Sequence, residues 1–271
     1  MHVAVIIPAA GSSERYKHAA RAEGNDSPRS KLDEELGGRP VLHRTVELFT
    51  NRPDVHTIIV AGPPDPAEME EFRTRHADKL AVLGVTVIEG DESSRSQTVR
   101  NALAHVPDSC THVAVHDAAR PGVPPEMLER ILDAARTNAA VIPALPVADT
   151  IKRVADAPEL AADPDPLAAI LGDEATAAPP ARKVTETLDR AGVVAAQTPQ
   201  VFKKSLFVRA YEAESPGATD DAALVERLGE PVLVVEGDVR AMKITTPADL
   251  RALRAMLNLT GPADRAAHKR F

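Results

Sequence analysis

"HVAVIIPAAGSSERYK", residues 2–17, sets an apolar run against a turn of small residues and places cations behind the turn. The run is apolar at consecutive positions, as in a strand covered on both faces, and that pattern belongs to parallel sheets. Two phosphate-binding signatures begin in this way, and neither is present. The dinucleotide fingerprint needs glycines at three fixed offsets, and only Gly11 stands here. The Gly-Lys-Ser/Thr ending of the P-loop is missing as well. What remains is a tight turn at a strand end, with Arg15 just beyond it, in a chain that is acidic overall.

The rest of the chain repeats the theme. Residues 3–8, 56–61, 85–89, 112–116, 140–145 and 231–236 read as short strands, several of them apolar nearly throughout. Helical patterns lie between them, at roughly 40–51, 66–79, 95–106, 124–137, 204–213, 220–228 and 247–258. In "PPEMLERILDAAR" the residues Met127, Leu128, Ile131, Leu132 and Ala135 share one face. "TTPADLRALRAML" supplies Thr246 as N-cap, Pro247 at the first helical position and Asp249 as the capping acid. Alternating strand and helix predicts a mostly parallel sheet with right-handed crossovers, whose ligands sit beyond the carboxyl ends of the strands. Two stretches break the rhythm. Residues 17–30, polar and punctuated by Gly and Pro, read as a mobile loop over the first strand end. Residues 153–183, rich in Ala, Asp and Pro, read as an arm with a loose tip whose two sides pair as a hairpin. The tail after about residue 260 is expected to fray.

Totals bound the function. The 271 residues are 44% hydrophobic but only 3% aromatic, without Trp, so aliphatic side chains must fill the core. A net charge of −8 argues against a nucleic-acid surface yet leaves room for a local cluster of cations around a small anion. Cys110 is the one cysteine, which excludes a disulfide framework and a Cys-rich metal site. No stretch approaches the ~18 apolar residues of a membrane span, and the N-terminus reads as a strand rather than a signal peptide, so a cytoplasmic protein is expected. The nine histidines show no ligand spacing, and His43, His56 and His105 read as packing or surface residues.

The chemistry-bearing residues fall at strand ends. "HDAARP", residues 116–121, brings Asp117 to the carboxyl edge of a central strand and Arg120 into the turn. A hard oxygen ligand there suits Mg²⁺, which takes one or two carboxylates together with substrate phosphates. An Asp117 that caps the turn and pairs with Arg120 is an equally good reading. Arg15 with Lys31, Arg95, Arg190 and Lys243 are each, taken singly, ordinary solvated cations. It is their shared placement near strand ends that favours a binding role. "SSRSQTVRNAL" (93–103) puts hydroxyls and Arg95 at a helix start, where unpaired N–H groups meet an anion or a base edge, or where a serine merely caps. In "TDDAALVERLG" (219–229) Thr219 is open to the same two readings.

In order, "PAAGSSERY", "SKLDEELGGRPVLHRTV", "HDAARP", "PVADTIKR", "TLDRAGVVAAQTPQVF", "TDDAALVERLG" and "MKITTPADL" resemble the motif series of the 2-C-methyl-D-erythritol 4-phosphate cytidylyltransferase family. The resemblance spans residues 3 to about 258. It implies a single Rossmann-like nucleotidyltransferase domain (1–271), with a mostly parallel central sheet flanked by helices and a projecting β-arm at about 150–195. It also implies transfer of a cytidylyl group from CTP to methylerythritol phosphate with Mg²⁺, and a homodimer in which each arm clasps the partner. By position, the triphosphate-binding turn falls on Ala9, Ala10, Gly11 and Arg15, and the mobile-loop lysine on Lys31. Cytosine and ribose contacts fall on Ser93, Thr98 and Asp117, with Asp117 also serving the metal. Thr150, Arg190 and Thr219 would meet the acceptor, partly across the dimer, with Arg120 and Lys243 between the two substrates. Arg15, Lys31 and Lys243 are then the catalytic charges.

The sequence departs from the family pattern in places: Ser13 and Glu14 stand where a glycine and a basic residue are expected, and "RSKL" replaces a Pro-Lys-Gln-Tyr run. A cytidylyltransferase for another polyol phosphate, such as ribitol 5-phosphate, would share the nucleotide site. A nucleotide-binding regulator without turnover would not need Arg15, Lys31, Asp117 and Lys243 together.

Overall fold

Val3–Pro8 forms the central strand β1, and Val3, Val5, Ile6 and Ile7 expose none of their surface. The consecutive apolar run explains this, because the two faces of β1 enter two different cores. Val3, Val5 and Ile7 point into one hydrophobic cluster, whereas Ala4 and Ile6 point into the other. Each such side chain contributes about 1.5–3 kcal/mol by leaving water. A charged residue at Ile6 would meet no water on either side of the sheet.

The computed structural model describes residues 1–157, 181–213 and 220–259. The chain folds as two compact units, residues 1–145 with 196 onward, and Pro146–Ala195. In the first unit β1 pairs in parallel with β2 (Val55–Gly62), and β2 with β3 (Val85–Glu89). On its other side β1 pairs in parallel with β4 (His112–Val115), in register Ile6 to Val115. β5 (Ala140–Pro146) and β10 (Leu233–Glu236) form the far edge, and with β9 (Gln200–Lys203) the order is β10-β5-β9-β4-β1-β2-β3. The chain thus runs outward through β2 and β3, then returns to the opposite side of β1. Such a reversal leaves a crevice beyond the carboxyl ends of β1 and β4.

Helices cover both faces. α1 (Glu14–Ala22), α2 (Val41–Glu47), α3 (Pro66–Val82) and α5 (Pro125–Ala135) pack on the Val3/Val5/Ile7 side, with α8 (Pro247–Met256). α4 (Arg95–Leu103), α6 (Lys204–Glu212) and α7 (Asp221–Arg227) pack on the other side. The stripe expected on α5 is the buried one, Met127, Leu128, Ile131, Leu132 and Ala135. α8 begins with the expected capping box: Thr246 accepts from the Asp249 N–H, and the Asp249 carboxylate accepts from the Thr246 N–H.

Two features differ from the sequence reading. Residues 17–22 belong to α1 and not to a mobile loop. "ERYKHAARA" is a run of good helix formers that buries Tyr16 and Ala20 one turn apart, and Gly24 ends it at φ +88°. Second, Gln200–Lys203 is a strand, β9, lying antiparallel between β4 and β5. It is four residues long and runs straight into α6, too short to carry a period of its own.

In the second unit β6 (Lys152–Asp156) pairs antiparallel with β7 (Arg182–Thr187), as the reading of a paired hairpin expects. Every residue of both strands is exposed, Val154 and Val184 included. Arg153–Glu186 and Arg182–Asp156 pair across the ladder at 3.0 and 3.5 Å. The tip of this arm, at 158–180, and the tail from residue 260 lie outside the described residues. A short strand, β8 (Val194–Ala196), leads back to the first unit.

Candidate active site

At the end of β1 the chain turns through Ala9–Ser13. Ser13 takes the left-handed conformation, φ +60°, at the position where the family pattern has a glycine. A side chain is strained there by roughly 1 kcal/mol. The neighbouring turn after β3 approaches so closely that a Cβ at Gly90 would stand 2.5 Å from the Gly62 carbonyl and 2.6 Å from the Ala10 methyl. Gly90 is therefore what lets the two turns share one wall. α4 starts in that wall, with the Ser94 hydroxyl accepting from the Gln97 N–H at 3.0 Å. Thr98, buried, accepts from the Asp91 N–H at 3.0 Å and so ties the turn to the helix.

Between these turns and the end of β4 opens a cleft of about 420 Å³. Ala9, Ala10, Gly11, Lys31, Thr98, Asp117 and Lys243 line it, with Ser94 and Arg95. A larger cleft, about 520 Å³, lies behind the Ala9–Ser12 turn against α3. The smaller one holds the converging charges and is where chemistry can occur.

Asp117 stands at its centre. Its N–H donates to the Thr198 hydroxyl at 3.0 Å, and that hydroxyl also bonds His116 Nδ1 at 3.0 Å. His116, fully buried, donates from Nε2 to the Arg120 carbonyl at 3.1 Å, and burial lowers its pKa to about 4, leaving it neutral. The turn after β4 is thereby braced from inside. Asp117 Oδ2 receives Lys243 Nζ at 3.1 Å and Arg120 Nε at 3.0 Å, while Oδ1 has Arg95 Nη2 at 3.7 Å. Burial pushes this carboxyl up, but Lys243, Arg95 and Arg120 outweigh it and hold the group well below the usual carboxylate range. Lys31 Nζ donates to the Ile244 carbonyl at 3.0 Å. Burial, then the charges of Lys243 and Arg15, bring its pKa down to about 8, with Asp117 opposing.

The cluster of Lys31, Asp117 and Lys243 is as expected, and Arg15 acts on Lys31 electrostatically from the exposed side of α1. Arg120 lies beneath Asp117 and does not line the cleft; its second bond runs to the Ala241 carbonyl at 2.8 Å. Ser93 is exposed and turns back on Asp91, donating its N–H to Oδ1 at 2.9 Å. Ser94 lines the cleft in its place. Thr150 and Arg190 are exposed in the second unit, where Arg190 donates to the Ala148 carbonyl. Thr219 lies outside the described residues.

A connection that sequence reasoning did not draw runs from Arg95. Its Nη2 meets Asp221 Oδ2 at 2.8 Å, and Tyr211 donates its hydroxyl to Asp221 Oδ1 at 2.6 Å. Asp221 is buried, and the tyrosine's pKa is raised by burial and by this carboxylate. The only sequence signal was the second acid of "TDDAAL".

Among the described residues no group of three or more His, Cys, Asp or Glu is placed so that it could hold a metal ion by itself. Asp117 Oδ1, with a single long approach, fits an ion held mostly by substrate phosphates, as Mg²⁺ is. No helix among the described residues is long and apolar enough to cross a membrane.

A doubly wound sheet with small-residue turns, converging lysines and one hard carboxylate at its switch point defines a nucleotidyltransferase. The sequence profile of 2-C-methyl-D-erythritol 4-phosphate cytidylyltransferase matches residues 3–168 and 161–259. Proteins of that name from Nocardia farcinica and Frankia casuarinae are 40% and 38% identical to the chain. The alignments cover 94% and 97% of it, and 94% and 84% of those proteins. A crystal structure of that enzyme from Thermus thermophilus superposes with a TM-score of 0.65 at 30% identity, over 95% of this chain and 100% of the other. The chain belongs to the 2-C-methyl-D-erythritol 4-phosphate cytidylyltransferase family. Its reaction is the transfer of a cytidylyl group from CTP to 2-C-methyl-D-erythritol 4-phosphate, a step of isoprenoid precursor biosynthesis.

Proposed function

We propose that Arg15, Lys31 and Lys243 are the charges that make this cytidylyl transfer fast, and that Asp117 holds Mg²⁺ on the nucleotide. In the reaction an oxygen of the acceptor's phosphate bonds to the α-phosphorus of CTP. The bond from that phosphorus to the bridging oxygen breaks, and pyrophosphate leaves with the electron pair. The nucleophile is already an anion at neutral pH, so no general base is required. The obstacle is repulsion between two anions. Two like unit charges ~4 Å apart repel by about 4 kcal/mol at an effective dielectric near 20. That is about three decades of rate, more than one cation is expected to return.

The observation that carries this reading is the approach of Lys31 and Lys243 to one cleft around Asp117, from segments far apart in sequence. Backbone N–H groups of Ala10 and Gly11 receive the triphosphate, as the small side chains permit, while the Ala9 N–H is held by the Ala61 carbonyl at 2.7 Å. Thr98 and Ser94, which line the cleft, border the base and ribose. A bound Mg²⁺ would neutralise phosphate charge and hold the triphosphate in one geometry. Thr150, Arg190 and Thr219 hold methylerythritol phosphate, with Arg120 orienting Asp117. The protein acts in the cytoplasm as a homodimer, with the 146–195 unit as the arm that reaches its partner.

Pyrophosphate release, followed with CTP, Mg²⁺ and either methylerythritol phosphate or ribitol 5-phosphate, tests the assignment. Lys31→Ala should lower kcat by about 10²–10³, the loss usual for one transition-state contact. Arg190→Ala should raise KM for the acceptor and leave the CTP constant in place. Equal weakening of CTP binding by both substitutions would refute the two-subsite assignment.

A further inference from the structure

Asp33, two residues beyond Lys31, ends a chain of buried polar groups that the reaction itself does not use. His76 Nε2 lies 2.7 Å from Asp33 Oδ1, and since a carboxylate only accepts, this nitrogen carries the proton. On the ring's other side His76 Nδ1 lies 3.0 Å from His43 Nε2. Arg75 Nε approaches the second carboxylate oxygen at 3.4 Å. His76 and His43 are 2% and 7% exposed, and the ring of His76 lies against Phe72 at 4.8 Å between centroids. Two imidazoles and a carboxylate first suggest a metal site. Here the atoms face each other pairwise at hydrogen-bond distance instead of converging on a common point, so they form a strut. It ties α2 and α3 to the segment that carries Lys31.

The segment needs such a tie. Upstream of it, Gly24 to Ser27 are exposed, and the ammonium reaches the Ile244 carbonyl at 3.0 Å from the end of a flexible four-carbon stem, so its place depends on where the backbone sits. The segment's backbone is pegged by Asp33 N–H to the Ser30 carbonyl, Leu32 N–H to the Ser30 hydroxyl, Val41 N–H to the Glu34 carbonyl and Leu42 N–H to the Leu32 carbonyl. None of these attaches it to α3, the helix packed behind the Ala9–Ser12 turn. The Asp33 carboxylate does.

We infer that His76, through Asp33, is a positioning residue for Lys31: the His43–His76–Asp33 strut sets where the lysine's ammonium meets the nucleotide. The inference rests on the catalytic reading of Lys31 given above. A misplacement of about 1 Å can cost up to 10² in rate at a transition state, so a loss near tenfold is expected when the strut is cut.

The test is a double-mutant cycle on the intact enzyme, reading kcat, both KM values and the thermal midpoint. His76→Leu and, from the other end of the strut, Asp33→Ala should each lower kcat about tenfold, with KM for methylerythritol phosphate unchanged. In a Lys31→Ala background neither should lower kcat further by more than about twofold. His76→Gln, which can still donate to Asp33 and bond His43, should restore most of the rate. Equal losses in both backgrounds, or a lowered thermal midpoint with kcat intact, would overturn the strut while the role of Lys31 stood. If Lys31→Ala itself left kcat unchanged, the catalytic reading of Lys31 would fall, and the strut's purpose with it.

Discussion

Lys31 carries two burdens, burial and two neighbouring cations, and both disfavour its charged form. A lysine with a pKa brought down to about 8 is protonated below that pH and loses its charge as pH rises through it. The free enzyme should therefore hold kcat/KM for CTP steady below pH about 8 and lose about tenfold per unit well above it. Lys31→Arg, permanently charged, should remove that alkaline limb even if its absolute rate is lower. A limb unchanged in Lys31→Arg would assign the titration to another group. At this scale Asp117, Arg120 and Lys243 were legible as residues at strand ends. Arg95 was legible as a cation at a helix start, but its pairing was not. Its partner Asp221 lies on a helix that the chain reaches after several further elements, and no local pattern announces the pair.

The helices were the most readable elements, because their signals lie within a few residues of each other. α8 shows this best: cap, proline and capping acid all do what their positions imply. The Asp249 carboxylate accepts from the N–H groups of Thr245 and Thr246, both at 2.8 Å, so the cap also fixes the chain leaving Lys243. Thr246→Ala should cost about 1 kcal/mol. That corresponds to roughly 2–4 °C of thermal midpoint for a domain of this size, measured by calorimetry. No change in midpoint would mean that the cap is compensated by water. α1 was missed although its residues favour helix, because Gly24 and Pro28 just beyond it gave the stretch the look of a loop. β9 was missed for a different reason. Four residues between a turn and a helix start offer neither alternation nor length.

At the scale of the molecule, the site depends on parts of the chain that meet only after folding. If Arg190 serves the neighbouring subunit's site, the defects of Lys31→Ala and Arg190→Ala should complement. Co-refolding equal amounts would make half the dimers mixed, each with one intact site, and, assayed with acceptor far below the KM of Arg190→Ala, restore about a quarter of wild-type activity. Activity no higher than the mean of the two variants would show that Arg190 acts within its own subunit.

Taken by itself, the order of residues determined the α/β class, the central place of "VAVIIP", the caps of α8, and the presence of Asp117 at a strand's end. Each is written in period, composition or spacing over ten or so neighbours, where side-chain burial and backbone hydrogen bonding act locally. Tertiary structure alone decided that β9 enters the sheet antiparallel, that Arg120 lies under Asp117, and that Arg95 pairs with Asp221. It likewise decided that Asp33 reaches His76. These contacts join segments whose approach is set by how two cores pack on opposite faces of one sheet, and packing of that range leaves no periodic trace in the sequence.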